Sequence, residues 1–245
     1  MAKGAGIPGL DKALTEEDLE ESRNIYNNLP DDAKQPEIQE YHILDLAALF
    51  VRNRAHNIFG IHLVHAHFTI PTRTVLLGAN YDRPRCRWAR TTPIPDMDLS
   101  DIHGHIFVLR DNGFRPYEYQ TGPAPDLSQI DDMFLHNLSD YLYANNLSSF
   151  IGLQIVDENP ANMLELILPQ ATVMLCASDL NGCISTRQTG WRFATELGQP
   201  RVCQANESHG QRATTHEIYN KGDAHPRMET YQDLKDALLK IGIIA

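Results

Sequence analysis

Eleven histidines stand in the chain, and five of them fall into two short groups, His62/His65/His67 and His103/His105. Side chains alternate faces along a strand, so His65 and His67 share one side, as do His103 and His105. Each pair can therefore grip one ion. Neutral imidazole is a ligand for zinc, copper and non-haem iron, and two on a rigid strand are preorganised at little entropic cost. We take His65, His67, His103 and His105 as candidate metal ligands, with a divalent metal, iron or zinc first, as the implied cofactor. Further ligands can come from His209 or His216, or from Asp96, Asp98 and Asp101. An open coordination position would serve water activation, Lewis-acid catalysis or oxygen chemistry. A second constellation, Cys203, His209 and His216, lies in the polar stretch RVCQANESHGQRATTHE. There Cys203 and His209 are candidates for a nucleophile and its base.

The spacing of Gly60, His65 and His67 resembles the opening of the first cupin motif. The glutamate which that motif places next is missing from FTIPTRTVLLG, and no second cupin motif follows. The stretch His62-Leu63-Val64-His65 is similar to a fragment of animal-type carbonic anhydrases, over four residues only. Neither family's function is carried over. No GxSxG elbow, GxGxxG or GxxxxGK[ST] loop is present, which removes the usual support for serine-hydrolase, dinucleotide and P-loop chemistry.

Three functional readings stay open. The first is a metal-dependent enzyme acting on a small organic molecule as hydrolase, lyase or oxygenase. The second is a noncatalytic binding or scaffold protein whose histidines pack and hydrogen-bond. The third is metal-free catalysis through Cys203 and His209.

A formal net charge of −11 repels phosphate backbones, and no Lys/Arg-rich run offers an exception, so nucleic acid is not an expected partner. The arginines at 83, 85, 87 and 90 are interrupted by Pro84 and Cys86 and read as a solvated edge or an anion pocket. No run approaches a membrane-spanning length, and the four cysteines form no CxxC pair. A soluble, acidic, cytoplasmic protein with free thiols is the expectation.

Hydrophobic residues at 42% and charged residues at 22% are the composition of a folded protein. Residues 1–13 read as a flexible start and 14–245 as one globular domain. Thr15 with Asp18 is an N-terminal cap, predicting a helix over about 16–28, and a second helix should end near Arg54. The run IFGIHLVHAHFTI and residues 73–77 read as strands. Residues 82–101, punctuated by Pro84, Pro93 and Pro95, read as a long excursion with a short strand around 86–91. Asp111-Asn112-Gly113 between two alternating arms predicts a β-hairpin. Helical spacing returns over 126–145, strands over 150–156 and 172–176, and a helix over about 231–241. The sum is an α+β fold with a mainly antiparallel sheet or barrel-like core, flanked by helices at the N-terminus, the middle (126–145) and the C-terminus.

Overall fold

The computed structural model describes residues 6–156, 161–204, 206–212, 215–219 and 224–245. In chain order the elements are α1 (Glu16–Asn27), α2 (Glu40–Arg52), β1 (Phe59–Leu63), β2 (Thr74–Asp82), β3 (Arg85–Pro93), β4 (Ile102–Arg110) and β5 (Gly113–Thr121). There follow α3 (Phe134–Ala144), β6 (Ile151–Ile155), β7 (Met163–Leu168), β8 (Ala171–Cys176) and β9 (Cys183–Trp191). The last are β10 (Phe193–Glu196), β11 (Gln199–Val202), β12 (Glu207–Arg212) and α4 (Tyr231–Lys240). Ten strands close a barrel in the order β1-β6-β4-β5-β2-β3-β8-β7-β12-β9, and β10 and β11 form a separate hairpin. The barrel is mainly antiparallel; β2 runs parallel to β5, and β7 to β12. The α+β, barrel-like core with flanking helices is therefore the architecture observed.

Strand alternation divides the barrel wall into two chemistries. On β1, Phe59 and Ile61 join Leu153 of β6 in an outer apolar layer, while His62 faces a cavity together with Gln154. Helices α2 and α3 cover that layer through Leu46, Phe50, Phe134 and Leu138, all buried. On the opposite wall Trp88, Val173 and Leu175 pack under Leu234 and Leu238 of α4. The helices thus dry the outside of the barrel, and polar side chains are left for the inside.

Local signals hold where the chain obeys only its neighbours. Helix α1 begins at Thr15, whose side chain accepts from the Asp18 N–H while Asp18 reaches back to the Thr15 N–H. Thr15→Ala should cost about 1 kcal/mol in a urea titration, and an unchanged midpoint would show that the cap contributes nothing. The Asp111-Asn112-Gly113 hairpin forms, with Gly113 at φ 98° at its exit. Helix α3 starts later than the spacing predicts, because Asp126 and Asp131 fold their carboxylates onto the N–H groups of Ser128 and Met133 and hold turns there.

Two expectations are corrected. The short strand expected around 86–91 is longer than that: β3 is nine residues long and pairs with β2 from Asp82↔Arg85 to Thr74↔Pro93, so about half of 82–101 is ladder and not excursion. At Arg87 the solvated-edge reading fails, since its side chain points inward and meets Glu118 rather than water. Conversely, the histidine-bearing run is a strand only as far as Leu63. Beyond it the backbone is caught by other partners, Val64 N–H by the Phe150 carbonyl and Ala66 N–H by the Pro30 carbonyl.

Candidate metal centre

Three imidazoles and one carboxylate converge where the 64–67 segment meets β7 and β12. The Nε2 atoms of His65 and His67 are 3.2 Å apart, and that of His209 is 3.1 Å from His65. Oε2 of Glu165 lies 3.3 Å from Nε2 of His67, 3.3 Å from Nε2 of His209 and 3.8 Å from Nε2 of His65. All four donors fall within 4.8 Å of one another. Ligands on bonds of about 2.1 Å sit about 3.0 Å apart around an octahedron and about 3.4 Å apart around a tetrahedron. The spacing is thus that of a coordination sphere.

Each donor has a local reason for its place. Glu165 and His209 are direct cross-strand partners on the parallel pair β7/β12. The ladder between β9 and β12 shifts register after His209, and the next residue is Gly210. A Cβ there would stand 3.1 Å from both Leu164 Cβ and Leu166 Cδ2, so the close approach of β12 to β7 favours glycine. His65 and His67 come from the extended segment pinned by Phe150 and Pro30.

A hydrogen bond behind His65 and an ion-pair contact behind His209 turn Nε2 of each ring toward the centre. Nδ1 of His65 is 2.6 Å from the Leu63 carbonyl, which only accepts, so the proton sits on Nδ1. His65 therefore turns Nε2 into the cluster. Nδ1 of His209 lies 3.1 Å from Oδ2 of Asp32, the carboxylate–histidine arrangement found behind metal ligands. Asp32 sits in a strap held by Arg187, whose guanidinium donates to the carbonyls of Asp32, Gln35 and Pro36.

The charges of the cluster are interlocked. Burial works against a charged Glu165, but the attraction of His67 and hydrogen bonds from His209 and His67 outweigh it and hold the carboxyl well below its ordinary value. Burial also opposes a charged His209, yet Asp32 and Glu165 push it up to about 9. Burial prevails at His67 and lowers it. Asp32 is lowered in spite of burial by its hydrogen bond and attraction to His209. Asp32→Asn should weaken metal binding by about 10–100-fold, the usual effect of losing a partner behind a ligand. Competition with a chromophoric chelator reads this directly, and an unchanged affinity would remove Asp32 from the centre.

The structure brings His65 and His67 together as the sequence reading paired them, and adds His209, foreseen as a third ligand. It places His103 and His105 elsewhere, at a mouth of the barrel about 370 Å³ in volume, with Nδ1 of His103 2.9 Å from the Gly122 carbonyl. Cys203 follows β11, with its N–H on the Arg192 carbonyl, and the ring contacts of His209 run instead to His65, His67 and His216. Sequence reasoning missed Glu165 and Asp32. A single charge inside the apolar run MLELIL was the available signal for Glu165; Asp32 offers none within DDAKQP.

Behind Glu165 lies a small chamber. Its lining comes from eight of the ten barrel strands and includes His62, Arg87, His105, Glu118, Gln154 and Glu207, which makes it the interior of the barrel. Among the described residues no helix is long and apolar enough to cross a membrane. No family model, curated protein or solved structure matches the chain.

Proposed function

We propose that this protein binds one divalent metal ion through His65, His67, His209 and Glu165 and uses it in the chemistry of a small organic molecule. The observation that carries this reading is the convergence of four donors within 4.8 Å, five of their separations being 3.1–3.8 Å, with Nε2 of His65 turned to the common centre. Three imidazoles and a carboxylate suit iron and zinc. They fill four positions, so a metal that takes five or six ligands keeps room for water or substrate and supports Lewis-acid catalysis, water activation or oxygen chemistry. The adjoining chamber supports an enzyme over a purely structural ion, because a structural site is closed on all sides.

A metal-free reading has one observation in its favour. A charged His209 between Asp32 and Glu165 satisfies two buried carboxylates without any ion. Elemental analysis of tag-free protein separates the two. About one equivalent of iron or zinc is expected for a single site of three histidines and one glutamate; none, even after anaerobic reconstitution, leaves a hydrogen-bonded histidine cluster.

A further inference from the structure

We infer that the barrel interior beside the metal centre is a binding chamber for the small, uncharged polar head of an organic molecule, reached through the mouth at His103 and His105. This rests on the metal reading above and adds the class of ligand.

The chamber itself is about 30 Å³, room for about one or two water-sized groups. The mouth, about 370 Å³, shares His105 and Ile155 with it, so the two adjoin and those side chains form the neck between them. A molecule with a hydroxyl or carbonyl head and a larger body fits this pair of volumes. The head would lie inside, beside Glu165, and the body against Pro123, Pro125 and Val156.

The inner walls leave hydrogen-bonding capacity unspent. His62 and His105 are only 4% and 8% exposed, and Nδ1 of each is buried with no hydrogen-bond partner. Oε2 of Glu207 stands 3.9 Å from Nδ1 of His62, too far for a hydrogen bond. A buried polar atom without a partner costs free energy that a ligand can recover. His105 reaches the chamber because a β-bulge after Gly104 sets both His105 and Ile106 opposite Glu118.

Charge selects the class. Three carboxylates line the chamber, Glu118, Glu165 and Glu207, and Arg87 is already engaged with Glu118 at 3.1 Å. Arg87 and a divalent ion on Glu165 together balance the three negative charges. An anionic head would meet carboxylates with no spare cation among these groups, and a cationic head would face the metal.

The test uses full-length zinc-loaded protein and three probes of equal chain length, propan-1-ol, propionate and propylammonium, followed by saturation-transfer NMR. Propan-1-ol should bind about fivefold more strongly than either ion, and His105→Phe should weaken it about fivefold, the scale of one hydrogen bond. Ile155→Trp, which narrows the neck without touching a polar group, should abolish the signal. Equal binding of all three probes, absence of binding, or indifference to both substitutions would overturn the inference. Zinc content of the same samples separates the two readings. With one equivalent bound and no preference for propan-1-ol, the chamber reading falls and the metal reading stands. With no zinc bound, the carboxylates lack their counter-charge, propylammonium becomes the preferred probe, and both fall.

Discussion

Protein carrying His65→Ala and His67→Ala together should be isolated with essentially no bound iron or zinc, where the unaltered chain should hold about one equivalent. Two of four donors are gone, and the remaining pair, Glu165 and His209, lies at one edge of the site, 3.3 Å apart. The loss should also appear as lost coupling between metal and stability. A ligand at about a thousand times its dissociation constant stabilises the native state by about 4 kcal/mol. Added zinc should therefore raise the melting temperature of the parent and leave the double variant unmoved. Both side chains sit outside the regular ladder, after the end of β1, so the barrel pairing need not suffer. A double variant that keeps its metal would refute the assignment of three histidines and Glu165 as the ligand set.

Arg87→Met should be the most destabilising single change inside the barrel. Nη1 and Nη2 of Arg87 both donate to Oε2 of Glu118 at 3.1 Å, Nε donates to Gln120 at 2.9 Å, and Nη2 also reaches the Tyr119 carbonyl at 3.2 Å. Side-chain exposures of 13% and 11% keep the pair from solvent screening. Gly78 makes room for it: a Cβ there would lie 2.6 Å from Nε of Arg87. Removing the cation strands a buried carboxylate, which costs about 3–5 kcal/mol, or roughly 6–20 °C in melting temperature for a chain of this size. Burial already raises the Glu118 carboxyl against the pull of Arg87. Replacing both partners, Arg87→Met with Glu118→Leu, should recover much of the loss, because the stranded carboxylate is gone and only the acceptors of Gln120 and Tyr119 still lack the donors that Arg87 supplied. A loss below about 1 kcal/mol for Arg87→Met would mean the pair is wetter than its geometry implies.

The readable parts of the site and the unreadable ones differ in kind. His65 and His67 stand two residues apart, and their joint use follows from an extended backbone whether or not a ladder forms there. Glu165 is 98 residues from His67, and His209 is 144 from His65. No spacing rule links such positions; the parallel pairing of β7 with β12 does. The other HxH pair shows the limit of pattern alone. His103 and His105 have the same spacing as His65 and His67, yet the closure of the barrel sets them at its mouth, with a bulge between Gly104 and Ile106.

By itself the sequence determined what local geometry controls: the capped start of α1, the Asp-Asn-Gly hairpin, the periodic apolar faces of α2 and α4, and a pair of histidines able to act together. Each depends on backbone torsions and neighbours a few residues away. Tertiary structure alone decided which carboxylate joins the histidines and that Arg87 faces inward to Glu118. It also decided that side chains from eight strands, polar ones from seven of them, enclose a chamber. These follow from barrel closure, which assigns one face of every strand to the interior, and the free energy that selects that closure is spread over the whole apolar coat beneath the helices.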